Sequence, residues 1–146
     1  MIKLDYKIMM AAKDPEEFYA KIGKFLASRQ VRKEIGGYPI NNEDDWPWMV
    51  AMDKQSKAVG FICMEPTKKG MMMHDCFVME EYRKQGVFRT LLKKVLQYAE
   101  KEKKNLYASV HESLQPVFEK REFIILGRRG QWLTMGRFLD GEEVSN

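Results

Sequence analysis

Residues 71–104 read MMMHDCFVMEEYRKQGVFRTLLKKVLQYAEKEKK, and this stretch decides the fold. Residues 71–79 are a nearly continuous apolar run, which predicts a central strand that is buried on both faces. Residues 80–86 are a charged turn that ends in glycine. Residues 87–104 predict a helix, because their apolar side chains repeat at the spacing of one helix face. We therefore expect a buried strand that leads through a short turn into an amphipathic helix.

The junction between this strand and this helix is a natural site for a phosphate group. The first N–H groups of a helix have no partner within it, and a glycine lets the backbone approach a ligand closely. Arg83 and Lys84 add positive charge just before Gly86. Residues 80–104 carry eight Lys and Arg against four Glu, which suits an anionic, phosphorylated cofactor. A tight strand-to-helix turn would explain a lone glycine equally well.

The composition indicates one globular domain. The chain has 146 residues, of which 45% are hydrophobic and 32% charged, and its net charge is +4. We expect a single domain at 1–139 and an acidic, flexible tail at 140–146. No apolar run approaches the ~20 residues of a membrane span, and the N-terminus lacks the apolar stretch of a signal peptide. We therefore expect a cytoplasmic protein. Cys63 and Cys76 are expected to be reduced core residues, not a disulfide or a metal site.

The order of elements predicts a mixed sheet with helices on its faces. The predicted elements are a strand at 2–12, a helix at 15–35 with a break near Ser28, strands at 49–52, 58–64 and 71–79, a helix at 87–104, a strand at 106–110, a helix at 113–120, and strands at 123–127 and 131–138. The strand, helix and strand within 71–110 form a right-handed parallel crossover. The fold class is therefore mixed α/β (α+β), with a central, mostly antiparallel sheet of six to seven strands and helices on both faces.

The loop at 38–48, YPINNEDDWPW, leaves two interpretations open. It is either an ordinary acidic surface loop with a tryptophan packed on the core, or a lid that binds an amine acceptor. Glu43, Asp44 and Asp45, with aromatic rings nearby, would suit a cationic acceptor.

Residues 78–92, VMEEYRKQGVFRTLL, carry a resemblance to a known family. The segment resembles the cofactor-binding motif of the GCN5-related N-acetyltransferases, the GNAT superfamily. That motif has a strand-end Val, a Tyr-Arg, and then (Arg/Gln)-x-x-Gly-x-(Gly/Ala) opening a helix with paired leucines. Residues 118–123, FEKREF, are more weakly similar to the family's Tyr-Glu-Lys-x-Gly-Phe. The residues that match the main motif are Arg83, Gly86, Leu91 and Leu92.

The resemblance implies a GNAT-like fold and an acetyl-CoA-dependent N-acetyltransferase. Such an enzyme transfers an acetyl group to a primary amine of a small molecule or peptide, by direct attack in a ternary complex. The implied cofactor is acetyl-CoA or coenzyme A, with its pyrophosphate at the turn before the helix. The implied cofactor-binding residues are Phe77, Val78, Met79, Arg83, Lys84, Gln85, Gly86, Val87, Phe88, Arg89, Thr90 and Phe118.

Three residues depart from the family pattern. Phe88 stands where Gly or Ala is usual, so its ring either narrows the phosphate site or turns inward onto the sheet. We favour the second interpretation, because Phe88 begins the apolar stripe of the helix. Phe118 replaces a tyrosine that often protonates the leaving thiolate, which should slow the reaction without preventing it. With Glu122 in place of a glycine, these residues leave open a coenzyme-A-binding protein with weakened or lost catalysis.

Two histidines are candidate catalytic residues. Acetyl transfer requires a neutral amine, so a base must take the proton of the amine. His74 lies on the predicted central strand, on the same face as Cys76, and some members of the family carry a base on this strand. A histidine with a satisfied hydrogen bond in the core or at the surface is the alternative. His111 ends the next strand, where the family frequently has an asparagine.

A third hypothesis is a transferase that acts on nucleic acid. The basic helix at 89–104 supports this hypothesis, and the acidic loop at 43–45 weakens it. The expected partners are acetyl-CoA and an amine acceptor, and no membrane. Nucleic acid is disfavoured but stays open as a partner, as does a homodimer.

Overall fold

The computed structural model describes residues 3–139, and its strands form one seven-stranded mixed sheet. In chain order the strands are β1 (Asp5–Met9), β2 (Trp48–Met52), β3 (Ala58–Pro66), β4 (Met71–Val78), β5 (Leu106–His111), β6 (Ile124–Arg129) and β7 (Trp132–Arg137). The α-helices of these residues are α1 (Pro15–Ala27), α2 (Arg29–Glu34), α3 (Val87–Lys101) and α4 (Gln115–Glu119). The strands are hydrogen-bonded in the order β1-β2-β3-β4-β5-β7-β6.

The directions of the strands confirm the predicted fold class. β4 and β5 are parallel, with Met71 opposite Leu106 and Met73 opposite Ala108. β1 with β2, β2 with β3, β5 with β7 and β6 with β7 are antiparallel. The fold is therefore a mixed α/β fold with a mostly antiparallel sheet, and α3 is the crossover between the two parallel strands.

The predicted break of the first helix near Ser28 is confirmed. Asp14 caps α1 by accepting a hydrogen bond from the Glu17 N–H at 3.1 Å. The Ser28 hydroxyl caps α2 in the same way, accepting from the Val31 N–H at 3.1 Å. Caps of this kind satisfy N–H groups that the first helical turn leaves without a partner, and Ser28 therefore separates the two helices.

The described residues divide into two compact units. The first unit contains residues 3–64 and 75–95, and the second contains residues 65–74 and 96–139. The expectation of a single domain at 1–139 stays a prediction. The acidic tail predicted at 140–146 lies outside the described residues. Among residues 3–139, no helix is both long and apolar enough to cross a membrane.

In the first unit, helices cover both faces of β3. The Phe25 ring of α1 lies 5.3 Å from the Phe61 ring, centroid to centroid. Gly60 faces the other side of the strand, where an added Cβ would lie 3.5 Å from Leu91 Cδ1 of α3 and 3.0 Å from the Phe77 backbone oxygen. Glycine therefore lets the strand approach both neighbours closely, and helices on both faces are confirmed for this unit.

Trp46 of the acidic loop and Trp48, the first residue of β2, are both packed in the core. Trp48 is fully buried, and its indole Nε1 donates a hydrogen bond to Asn42 Oδ1 at 2.8 Å. The Ala12 N–H donates to the Asp44 backbone oxygen at 2.9 Å, which fastens the loop to the end of β1. The interpretation of a tryptophan packed on the core is therefore confirmed, whereas a lid function stays a prediction.

In the second unit, β5, β6 and β7 form an antiparallel sheet over a core that includes Leu106 and Leu133. The closing hairpin is confirmed, but its turn lies at Gly130, whose φ is +62°. Arg128 and Arg129, which the sequence placed in the turn, belong to β6. The strands therefore extend further into this hairpin than the charged residues suggested.

β4 occupies the predicted central position but is not buried on both faces. Met71 and Phe77 are buried, whereas Cys76 is partly exposed and the His74 side chain is 36% exposed. The prediction of a strand buried on both faces is therefore wrong for β4. β3, for which the sequence made no such prediction, is buried at every residue of 58–64. An apolar run looks the same in sequence whether protein covers both faces or one face stays accessible to a ligand.

Candidate functional site

The turn between β4 and α3 curls the backbone ahead of the helix. Lys84 and Gly86 both have positive φ values, +61° and +83°. The Thr90 N–H donates to the Gly86 backbone oxygen at 3.0 Å, as in the first turn of a helix. The helical N–H groups before Thr90 have no acceptor within α3, so they are available to an anion.

A cavity of about 330 Å³ lies at this helix start. No heavy atom lies within 4 Å of the position that a Gly86 Cβ would take, so glycine is required there by its φ and not by crowding. Backbone N–H groups and two cationic side chains surround the space, and this donor set fits the pyrophosphate of coenzyme A. The residues that line the cavity are Lys84, Gly86, Val87, Phe88 and Arg89.

Gln85 and Thr90, both predicted to bind the cofactor, have side chains that lie against other protein groups. The Gln85 amide donates to the Glu81 backbone oxygen at 2.9 Å. The Thr90 side chain lies near the Tyr6 hydroxyl of β1. Burial raises the pKa of Tyr6, and the nearby Thr90 side chain opposes that rise. These contacts brace the turn, so contacts of Gln85 and Thr90 with the cofactor stay a prediction.

Arg83 is held by protein groups at the end of β4. Its Nε donates to the Val78 backbone oxygen at 2.7 Å, and its guanidinium lies 2.9 Å from Glu34 Oε1 on α2. The guanidinium carbon lies 5.3 Å from the centroid of the Phe77 ring. Arg83 therefore ties the strand end and α2 to the turn, and its direct contact with a phosphate stays a prediction.

Phe88 lines the cavity instead of joining the core. Its ring is half-buried, and the buried stripe of α3 begins at Val87 and continues through Leu91 and Leu92. The interpretation that Phe88 turns inward to begin this stripe is therefore wrong. Val87 already fills the inward position one turn before Leu91. Phe88 thus lies at the cavity, where the family usually has Gly or Ala.

His74 on β4 pairs with Glu65 on β3. Its Nε2 lies 2.7 Å from Glu65 Oε1, and the two side chains are 36% and 39% exposed. A contact of this length is a hydrogen bond strengthened by charge. The sequence predicted His74 as the base but missed Glu65. The available signal was the short connection between the strands predicted at 58–64 and 71–79. A hairpin places alternate residues of its two strands on one face. In the structure the Thr67 N–H donates to the Gly70 oxygen at 2.7 Å and closes this turn.

His111, the second candidate catalytic residue, caps the turn after β5. Its Nδ1 accepts from the Ser113 N–H at 3.1 Å and lies 2.9 Å from the Ser113 hydroxyl. The ring also meets Trp132 edge-on, with centroids 5.5 Å apart. These contacts account for His111 as a structural residue, and its catalytic role stays a prediction.

Both cysteines are poor candidates for a nucleophile. Cys63 and Cys76 are free thiols, the first buried and the second partly buried. Loss of solvation raises the pKa of each thiol to about 12. Since the thiolate and not the thiol attacks a carbonyl, these shifts disfavour attack by either side chain near neutral pH.

Phe118 lies in the core of the second unit. It is 3% exposed and meets the Phe123 ring edge-on, with centroids 5.0 Å apart. The Phe123 N–H donates to the Phe118 backbone oxygen at 3.2 Å, which closes the turn after α4. The structure thus gives Phe118 a packing role, and its contact with the cofactor stays a prediction.

Phe118→Tyr is expected to lower stability and not to raise activity. The added hydroxyl enters a buried, aromatic environment, and burying it without a partner costs about 1–3 kcal/mol. Urea denaturation measures the change in the free energy of unfolding, and release of free coenzyme A measures the rate. A clear rise in kcat would instead show that a tyrosine at this position can protonate the leaving group.

The fold is a mixed α/β fold with a cavity at a strand-to-helix turn that suits an anionic group. The family model described as an acetyltransferase (GNAT) domain matches residues 10–131. The chain therefore belongs to the GNAT acetyltransferase family. It is accordingly an N-acetyltransferase with acetyl-CoA as its cofactor, which confirms the resemblance seen in the sequence.

Solved structures of other proteins share the fold. Escherichia coli ElaA is 16% identical with a TM-score of 0.73, and the match covers 92% of this chain and 99% of that one. An acyl-CoA N-acyltransferase from Pseudomonas aeruginosa is 18% identical with a TM-score of 0.74, over 92% and 99% of the two chains. The PaiA N-acetyltransferase from Thermoplasma acidophilum, solved in complex with coenzyme A, is 16% identical with a TM-score of 0.60, over 92% and 99%. No curated protein sequence matches the chain.

Proposed function

We propose that this enzyme transfers the acetyl group of acetyl-CoA to a primary amine of a small molecule or peptide, by direct attack in a ternary complex. The observation that carries the proposal is the cavity at the start of α3, whose lining fits a pyrophosphate. The PaiA N-acetyltransferase, which shares the fold, was solved in complex with coenzyme A, and this supports coenzyme A as the ligand. Release of free coenzyme A in the presence of an amine panel tests the proposal.

The residues of the proposed site have two roles, binding of the cofactor and transfer of a proton. Acetyl-CoA supplies an activated thioester carbonyl. The first N–H groups of α3, with Lys84 and Arg89, hold the pyrophosphate, and Phe88 bounds the space beside it. His74, on the more accessible face of β4, accepts the proton that the amine loses as its nitrogen is acylated.

Direct transfer needs no acylated side chain, and the state of the cysteines supports it. A relay through the enzyme would need an activated nucleophile. The thiols of Cys63 and Cys76 stay protonated because burial raises the pKa of each to about 12. The amine therefore attacks the acetyl group without an enzyme-bound intermediate on either cysteine.

The acceptor that we propose is cationic before it loses its proton. Glu43, Asp44 and Asp45 are all exposed in the loop before β2, where they lower the local electrostatic potential. This acidic segment attracts ammonium groups, and it disfavours nucleic acid as the acceptor.

Reversing the charge of the loop is expected to raise KM for polycationic amines. Asp44→Lys with Asp45→Lys should raise KM several-fold for a diamine, since exposed charge pairs contribute about 0.2–1 kcal/mol each. KM for a monoamine with an apolar body should change less, and added salt should reduce the difference. If KM changes equally for both amines, the loop does not recognise the charge of the acceptor.

A second candidate is a coenzyme-A-binding protein of the same fold with weakened catalysis. Two observations favour it: a bulky Phe88 lines the cavity where the family usually has Gly or Ala, and Phe118 offers no proton. Under this alternative acetyl-CoA binds, but no amine of the panel releases free coenzyme A above the uncatalysed rate.

We further propose a cytoplasmic homodimer. Free cysteines support a reducing compartment. β6 lies at one edge of the sheet, and its Ile124 and Ile125 side chains are 49% and 41% exposed, which would suit pairing with a second copy. The mass of the protein in solution, from light scattering, decides between monomer and dimer.

A further inference from the structure

Glu65 and His74 are joined by a hydrogen bond across the β3–β4 hairpin. Both residues belong to the second compact unit, on the two strands of this hairpin. Glu65 Oε1 and His74 Nε2 are 2.7 Å apart. The two side chains are 39% and 36% exposed, so solvent reaches the pair.

We infer that Glu65 is a positioning residue for His74. Its carboxylate accepts the hydrogen bond from Nε2–H, which fixes the orientation of the ring and leaves the basic lone pair on Nδ1. The inference rests on the proposed function, in which His74 takes the proton of the acceptor amine. It adds a residue to which the family motif and the sequence assigned no role.

The proton transfer balances without moving a proton to Glu65. The nitrogen of the amine forms a bond to the acetyl carbon, and the C–S bond breaks with its electron pair left on sulfur. The proton of the amine moves to His74 Nδ1, while Nε2–H stays in its bond to Glu65. The ring thereby becomes a cation beside a carboxylate, which stabilises the charge that develops.

Glu65 places a carboxylate within hydrogen-bond distance of the ring. Lys68 and Lys69 in the hairpin turn are exposed and positive, so they oppose a cationic ring. Removal of the Glu65 charge should therefore take away a group that stabilises the cationic ring as the amine loses its proton.

The test compares Glu65→Gln, which keeps the shape and removes the charge, with Glu65→Asp, which keeps the charge. We expect Glu65→Gln to lower kcat about 10–100-fold with KM for acetyl-CoA unchanged. Glu65→Asp should recover part of that loss. Glu100→Gln is the matched control, because Glu100 forms a 3.4 Å surface pair with Arg137, and its kcat should be that of the wild type.

A double variant separates positioning from an independent role. If Glu65 acts through His74, then Glu65→Gln should cost almost nothing further in a His74→Gln background. Full additivity of the two losses would overturn the inference, as would a wild-type kcat for Glu65→Gln.

A measurement without turnover keeps the inference separate from the proposed function. The ring ¹⁵N signals of His74 report by NMR, in the full-length protein without any substrate, which ring nitrogen carries the proton. We expect the wild type to hold the proton on Nε2, facing Glu65, and Glu65→Leu to lose that preference, whereas Glu100→Gln should keep it. If no amine is acetylated but Glu65→Leu loses the preference, the pair is real and the proposed base is wrong. If Glu65→Leu keeps the preference, Glu65 does not position His74.

Discussion

Acetyl-CoA at a hundred times its dissociation constant stabilises the folded protein by about 2.7 kcal/mol. This is the largest stability effect expected for the chain, because a ligand that binds only the folded state shifts unfolding by mass action. At about 2–4 °C per kcal/mol for a protein of this size, the midpoint of thermal unfolding rises by roughly 5–10 °C. Differential scanning fluorimetry across a cofactor titration measures the shift.

The position of the cofactor is tested with variants of the cavity lining. Lys84→Ala and Arg89→Ala are each expected to weaken binding several-fold, because each removes a cation beside the pyrophosphate. Lys93→Ala changes an exposed lysine further along the same helix and serves as the matched control. Acetyl-pantetheine, which lacks the pyrophosphate, should give little shift. An equal shift for both compounds would contradict the proposed site.

His74→Gln is expected to lower kcat by about 10²–10⁴, the range for loss of a general base. The loss should be greatest at low pH, where the acceptor amine is mostly protonated and most needs a base. At high pH the amine is already neutral, and the variant should approach the wild type. The measurement is the pH dependence of coenzyme A release, with the thermal shift by acetyl-CoA retained.

His111→Gln is the comparison for this prediction. His111 Nδ1 bonds Ser113 in the cap after β5, so we expect a loss of only a few-fold in kcat and an unchanged pH profile. If His74→Gln has the pH profile of the wild type, His74 is not the base. If His111→Gln instead loses kcat selectively at low pH, His111 and not His74 is the base.

Local patterns in the sequence predicted the backbone of the site. Three local features were sufficient to predict this backbone: the apolar run of β4, the glycine at position 86 and the periodic helix after it. Each of them depends only on residues that are neighbours along the chain. Gly86 takes the positive φ that the turn requires, and the cavity lies beside it. The same local signals placed the break at Ser28.

Side-chain partners were harder to predict, because they depend on contacts across the fold. Glu65 reaches His74 through the pairing of two strands, and no spacing within one element reveals that contact. Arg83 was counted with the phosphate ligands, yet it bonds the Val78 oxygen and Glu34. Phe88 was predicted to pack on the sheet because it begins the apolar stripe of the helix. In the structure Val87 is buried at that position instead, and only packing against the sheet decides between the two residues.

The raised pKa values of the two thiols bear on the choice of assay for this enzyme. Colorimetric reagents that detect free coenzyme A react with thiolates, and they normally react with the cysteines of the enzyme as well. Because burial raises the pKa of Cys63 and of Cys76, we expect both thiols to react slowly with such reagents near neutral pH. The background from the enzyme should then be low, so that a slow acetylation can be followed continuously. An electrophilic inhibitor that alkylates cysteine should be slow for the same reason, and inhibitors of this enzyme should instead target the cavity at the start of α3.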